Sequence, residues 1–302
     1  MKKFLVSLCM LLSIAAHSSE LYVVTTSSPG GTPDAFARQL SREYDLMYGG
    51  VTNVLNLPGA DGKIGTKQFL KNTPDKHGVL FPASGHMISI DTDDYQQLVP
   101  IVEVVRQPWV LAVRTNFPAN TWQEFVNYAR VRPGAVSVAI TSKGSTLPVA
   151  SRIEKNHNLK FNFIFYSQNA APYTDLYAGT VDAYWVPASA YFGTVMHTRS
   201  RAILVTGKKG ISGIPEHLLL GDDKNVGEWY LSQGIFVNKS MDEQQKQLLQ
   251  SRYYQIVHSS WGKEFQSKTP GVILGDKNTA HLSRQIETYR VTWETLKKEY
   301  AE

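Results

Sequence analysis

Apolar, β-branched runs break into turns rich in glycine or serine and then into amphipathic helices, and this alternation constrains the chain more than any other feature. Leu21 to Thr25 leads into Ser28-Pro29-Gly30-Gly31-Thr32-Pro33-Asp34, after which Phe36, Leu40, Tyr44 and Met47 mark one helical face. Val51 to Leu55 leads into Asn56-Leu57-Pro58-Gly59-Ala60-Asp61-Gly62-Lys63-Ile64-Gly65, and Val136 to Ile140 into Ser142-Lys143-Gly144-Ser145-Thr146. Glycines permit positive φ and close backbone approach, Pro33 suits a first helical turn, and the first N–H groups of each helix lack internal partners. Such a loop holds an anion without any charged side chain. In open α/β sheets the loops at the carboxyl ends of the strands line the crevice, so three loops of this kind point to one small anionic guest.

The same rhythm organises the rest of the chain. Strand runs at 21–25, 51–55, 78–81, 101–105 and 110–113 alternate with helical patterns at 34–48 and 63–72, as in a mostly parallel sheet covered by helices. Turn residues at 115–120 interrupt the pattern, and Thr121-x-x-Glu124 is a capping box that opens a helix reaching Arg130. A second α/β unit follows, with strands at 136–140, 161–165, 181–186 and 202–205 and helices at 147–156, 172–178 and 188–197. Residues 211–227 read as a surface loop, 234–238 as a strand, and Ser240-x-x-Glu243 as a second capping box before helices at 241–258, 261–268 and from 279 onward. These last helices need a sheet to cover, so the C-terminal part is expected to return to the first unit. The expected division is residues 19–116 with 236–302 as one lobe and 117–235 as the other, joined by two chain crossings near 115–120 and 231–237 with a cleft between them.

Met1-Lys2-Lys3 followed by the apolar stretch Phe4 to Ala16 has the order of a secretory signal, here assigned to residues 1–18 with cleavage between Ala16 and Ser19. The only cysteine, Cys9, lies inside that stretch, so the exported chain has no disulfides and depends on its core. Losing Lys2 and Lys3 reduces the basic count from 31 to 29 against 26 acidic residues, so the net charge falls from +5 to +3. So mild and scattered an excess agrees with an anionic ligand and excludes nucleic acid, which needs a clustered basic stripe.

Catalytic motifs are missing. There is no G-x-S-x-G elbow, no H-E-x-x-H pair and no C-x-x-C. Gly62-Lys63 resembles the end of a phosphate-binding loop, but Leu57 and Ile64 occupy positions where that motif needs Gly and Ser or Thr. His77, His86, His157, His197, His217, His258 and His281 show no helical pairing and read as surface or satisfied core histidines, so no metal or other cofactor is expected. Of the six tryptophans only Trp185, beside a candidate site strand, is placed to wall the cleft.

The motifs match a family in its own order. Pro29-Gly30-Gly31-x-x-Asp34-x-x-Ala37-Arg38, Asn56-x-Pro58-Gly59-Ala60-x-Gly62-x-Ile64-Gly65, Pro74-Asp75, Gly144-Ser145, and Tyr166 with Asp175-Leu176-x-x-Gly179-x-Val181-Asp182 together resemble the Bug/TctC family of periplasmic receptors of tripartite tricarboxylate transporters. The resemblance implies a type II periplasmic binding protein, an α/β fold of two lobes that closes on a small carboxylate and delivers it to integral membrane transporter subunits. It also implies that main-chain groups, hydroxyls and bridging waters hold the carboxylate. The chain departs from the family at Leu55 and Leu57, where Glu and Arg are usual, and at Ser142, Pro148 and Ser167-Gln168, which replace Gly, His and Lys-Gly.

The resulting expectation is a periplasmic, monomeric, cofactor-free binding protein for a small carboxylate, with no enzymatic activity. Its ligand-binding candidates are Ser28, Gly30, Gly31, Gly62, Ser142, Gly144 and Ser145, together with Ser84, Asn169, Ala170 and Asp182. The rival from another class is a secreted α/β hydrolase-like enzyme, which lacks a visible nucleophile and base; a receptor signalling to a membrane sensor would share the same sequence features. Intact-mass analysis of the exported protein is expected to show loss of the first 16 to 18 residues and no lipid on Cys9. Retention of Met1 would contradict the export reading.

Overall fold

A computed structural model describes residues 20–30, 32–72, 78–166 and 171–300. The proposed signal, Gly31, Pro74-Asp75, Asn169 and Ala170 lie outside the described residues. Among the described residues ten strands run in chain order as β1 (Leu21–Thr25), β2 (Thr52–Asn56), β3 (Gly78–Leu80), β4 (Leu98–Arg114), β5 (Val136–Ile140), β6 (Phe161–Phe165), β7 (Ala183–Pro187), β8 (Ser200–Val205), β9 (Tyr230–Asn238) and β10 (Ile273–Leu274). The helices are α1 (Thr32–Tyr48), α2 (Lys63–Asn72), α3 (His86–Ser89), α4 (Thr92–Gln96), α5 (Trp122–Arg130), α6 (Thr146–His157), α7 (Ala171–Ala178), α8 (Ala188–Phe192), α9 (Met196–Arg199), α10 (Glu243–Val257), α11 (Ser260–Lys268) and α12 (Ala280–Tyr300).

The strands follow the order β2-β1-β3-β9-β4-β7-β5-β6, with β8 and β10 also paired to β4. In one half β1 is parallel to β2 and β3. In the other, β5 is parallel to β6 and β7. The long strand β4 joins them: residues 98–108 pair antiparallel with β9, and 109–113 pair antiparallel with β7. The sequence pattern separates 101–105 from 110–113 because Arg106, Gln107 and Pro108 interrupt the apolar run. These three residues nevertheless stay in register opposite Ser232, Leu231 and Tyr230, so the two runs are one strand.

Both halves have their own core. Val23, Leu40, Val79, Val102, Val237 and Tyr253 are buried in the first. Leu111, Phe125, Val138, Leu147, Ile153 and Trp185 are buried in the second, so Trp185 belongs to that core. Thr121 caps α5 as its motif requires, its hydroxyl accepting the Glu124 N–H at 3.2 Å. The other capping box is displaced: Asp242, not Ser240, caps α10 by accepting the Gln245 N–H at 3.1 Å, while the Ser240 hydroxyl donates to Asn238 Oδ1. A carboxylate beside a helix N-terminus outcompetes a hydroxyl two residues earlier. The expected helix over 188–197 is instead the two short helices α8 and α9, separated at Gly193 to Val195.

Helix α12 contacts both cores. Leu282 and Ile286 are buried with Val24, Leu80 and Phe236 of the first half. Tyr289 is buried in the second core, with Trp293, Leu296 and Tyr300 packed against it. The Tyr289 hydroxyl accepts the Trp109 Nε1–H of β4 at 2.7 Å and lies 3.3 Å from the Tyr230 carbonyl of β9. Tyr289→Phe therefore strands a buried indole N–H with little change of shape, and urea unfolding is expected to show a loss of about 1–3 kcal/mol. An unchanged midpoint would mean that this bond does not tie α12 to the crossing strands.

Candidate functional site

The carboxyl ends of β1, β2 and β3 carry three loops, and the loop at the carboxyl end of β5 meets them from the other half. The first loop is held by the motif residues themselves. Asp34, 3 % exposed in the first turn of α1, accepts the Gly30 N–H at 2.8 Å and the Asn56 amide at 2.7 Å. Arg38 Nε lies 3.1 Å from the same carboxylate, and Arg38 Nη2 donates to Asn56 Oδ1 at 2.9 Å. The Gly30 N–H, then the Asn56 amide and Arg38, hold the Asp34 carboxyl below its ordinary value. Asn56 also donates to the Ser27 carbonyl, so one carboxylate and one amide join the ends of β1 and β2 to α1.

The second loop forms a 3₁₀ turn at Ala60–Gly62, with Ala60 and Asp61 in the left-handed region at φ 47° and 49°. Gly62 lies so close to His86 that an added Cβ would come within 2.5 Å of the histidine Cβ. Lys63 is turned to Asp91, with Nζ 2.8 Å from its carboxylate. The third loop follows β3: its Ala83 N–H donates to Thr26 Oγ1 at 3.2 Å, and His86 Nδ1 lies 2.7 Å from that same hydroxyl. Burial holds the His86 imidazole below its ordinary pKa, opposed by the Asp61 carboxylate.

The loop after β5 arrives from the second half. Ser142 Oγ accepts the Ser145 N–H at 3.1 Å, and the Thr146 and Leu147 N–H groups donate to the Ser142 carbonyl, so Ser142 organises the start of α6. Across the cleft, a Cβ on Gly85 would lie 3.2 Å from Ser142 Oγ and 3.7 Å from Ser145 Oγ, and one on Gly144 would lie 3.0 Å from the Gly85 carbonyl. Glycine at both positions lets the halves touch. Between them lies a cavity of about 10 Å³, lined by Ser84, Ile88, Ser145, Tyr230, Ser232 and Tyr289. That is room for roughly one water, so a larger guest enters here only if the halves part.

The structure thus brings Ser84, Ser142, Gly144 and Ser145 together and sets Gly62 behind them against His86. Ser28 and Gly30 are exposed on the first loop, where the Gly30 N–H is engaged by Asp34. Asp182 is not among the cleft residues. It precedes β7 at the opposite end of β5, where its carboxylate accepts from Ser137 N and Oγ at 3.0 Å and from Arg114 Nε at 2.8 Å. The reason is topological: β5 and β7 are parallel, so a residue before β7 is level with the start of β5, far from the loop after it. Lys143 Nζ stands 5.6 Å from the centre of the Phe165 ring. Thr26 and His86 escape the sequence reading, although the turn Ala83-Ser84-Gly85 before α3 repeats the strand, small-residue turn and helix order of the other loops.

Two half-sheets joined through one shared strand, with hydroxyl- and glycine-bearing loops facing across a cleft, are the architecture of the two-lobed periplasmic binding protein fold. The tripartite tricarboxylate transporter family receptor, TctC, matches residues 36–229. The chain belongs to this family. It is 24% identical over 285 residues to the protein BugT of Bordetella pertussis, covering 89% of this chain and 86% of that one. It is 27% identical over 195 residues to a UPF0065 protein from the tcbD-tcbE intergenic region of Pseudomonas sp. strain P51, covering 62% of this chain and only 58% of that protein's length. The fold is that of R. palustris Rpa4515, solved with adipate, at a TM-score of 0.74 and 19% identity over 94% of this chain and 97% of that one. No helix among the described residues is long and apolar enough to cross a membrane.

Asp34→Ala leaves the Gly30 N–H, the Asn56 amide and Arg38 without their acceptor, and a loss of about 1–3 kcal/mol at neutral pH is expected in urea unfolding. Because the native pKa lies below the unfolded one, Asp34 contributes fully above the ordinary carboxylate pKa of about 3.9, and its contribution is lost as pH falls through the native value. The gap between wild type and variant should therefore narrow on going below about pH 4. A gap that is constant with pH would show that the carboxylate charge is not what braces the loop.

Proposed function

We propose that this protein captures a small organic carboxylate between its two lobes in the periplasm and hands it, chemically unchanged, to the membrane subunits of a tripartite tricarboxylate transporter. The observation that carries the reading is the meeting of Ser84 and Gly85 from one half with Ser142, Gly144 and Ser145 from the other, each set at the carboxyl ends of strands. Hydroxyls and helix N-termini stabilise an anion without a guanidinium clamp. The carboxylate seen with the R. palustris structure supports the ligand class. The exchange of partners along β4 at 106–109 supports a lobe boundary near Pro108 and Tyr230, with closure about that line. The protein is proposed to act as a monomer.

A thermal-shift screen of acetate, succinate, malate and adipate tests this, since a ligand at a hundred times its dissociation constant adds about 2.7 kcal/mol of stability. Ser145→Ala is then expected to weaken binding by about 1.5–3 kcal/mol, the range for a hydrogen bond to a charged group. Calorimetric titration showing unaltered affinity in that variant would remove the α6 N-terminus from the site.

A further inference from the structure

His86 is where three loops of the first lobe converge. Its Nδ1 is 2.7 Å from Thr26 Oγ1 at the end of β1. Its side chain lies against Gly62, at the end of a turn whose two non-glycine residues, Ala60 and Asp61, hold left-handed φ values, a conformation that persists where the surroundings impose it and that gathers at ligand clamps. Its preceding residue, Gly85, is the one that meets the serines of the other lobe. The Thr26 hydroxyl accepts the Ala83 N–H at 3.2 Å. Donating its own proton to Nδ1 then gives the hydroxyl both of its roles and puts the ring proton on Nε2.

We propose that His86 takes up a proton from solvent when an anionic guest enters the cleft, so that capture is coupled to protonation. The proposal rests on the carboxylate reading above. The new proton goes onto Nδ1, the Thr26 hydroxyl turns to accept it, and the neutral imidazole becomes an imidazolium beside the guest. Before binding, burial keeps the ring uncharged at neutral pH. The charged groups around it do not already settle its state. Asp61 acts on it from the 3₁₀ turn, Lys63 at the start of α2 faces Asp91, Arg290 of α12 donates to the Met87, Ile88 and Ile90 carbonyls of α3 and the residue after it, and Lys143 from the other lobe stands over Phe165. From β1 and from the β3 loop, Thr26 and Ser84 bring no charge. A carboxylate arriving within a few ångströms favours the charged ring. By linkage, affinity must rise as pH falls from the bound-state pKa of His86 towards its free-state pKa, approaching tenfold per pH unit, and level off below.

The test is calorimetric titration of acetate, succinate, malate and adipate at about pH 7, where His86 is neutral in the free protein. The tightest binder is repeated in phosphate and in Tris, whose ionisation heats differ. Wild type is expected to show a buffer-dependent heat equivalent to a substantial fraction of one proton taken up, and an affinity that rises several-fold from about pH 8 to pH 6.5. His86→Asn, whose amide replaces Nδ1 towards Thr26, should bind without uptake and with a flat pH profile. The imidazole resonance of His86 in the wild type, followed by NMR, should titrate at higher pH with the acid bound, a measurement that does not depend on any variant folding. Binding with equal heats in both buffers, undiminished uptake in His86→Asn, or an unmoved resonance would overturn the proposal while leaving the carboxylate reading intact. No heat from any of the four acids would overturn both.

Discussion

The fold depends on a single strand that belongs to two sheets. Over 98–108 β4 is bonded to β9, and over 109–113 to β7, so the two halves share one hydrogen-bonded backbone and cannot separate without bending it. The change of partners at 108–109 is where the proposed closure would bend the strand. Within the β9-paired part of β4 lies the fully buried Glu103. Burial alone would raise its carboxyl pKa, but the hydrogen bond from His281 and the charges of His281 and Arg106 outweigh it and hold the pKa below its ordinary value. A buried charge paired on both sides keeps β4 and the start of α12 in one arrangement, since losing either partner would strand it.

Around this axis the family motif and the residues that line the cleft have separate roles. Asp34, Arg38 and Asn56 brace the first loop from behind, using charge-assisted bonds among themselves. The groups that face the other lobe are uncharged: Ser84, Gly85, Ser142 and Ser145. If hydroxyls and backbone N–H groups hold an anion here, as proposed, these contacts themselves supply no full positive charge. That is why one titratable imidazole beside those loops can alter the charge balance of the site. Arg290 serves the same loop from the far side, with its guanidinium donating to the Met87 and Ile90 carbonyls at 3.0 and 3.1 Å and so holding the end of α3 to α12.

Much of the fold was legible in the sequence because local pattern and final structure agree there. The bounds of β1, β5, β6 and α2 are those that periodicity and turn residues indicate. The pattern misleads where long-range pairing decides. Pro108 reads as a break, yet it sits at the point where β4 passes between partners and lies opposite Tyr230. Asp182 reads as a strand-end carboxylate available to a ligand, yet the parallel register of β5 and β7 turns it to Arg114 at the other end of the sheet. His86 carries no spacing signal, since a lone histidine in a strand-to-helix turn is indistinguishable from a surface one until Thr26 and Gly62 are brought against it from 60 and 24 residues away. The glycine and serine loops were visible because their chemistry is written in consecutive residues.

On the proposed reading, loops from both lobes close together over one carboxylate. Amide hydrogen exchange reads both at once. On adding the carboxylate that gives the largest thermal shift, exchange is expected to slow in residues 84–89 of the first lobe and 141–146 of the second, to a similar degree and at the same ligand concentration. Protection confined to one segment, or appearing elsewhere while both segments exchange as before, would contradict it.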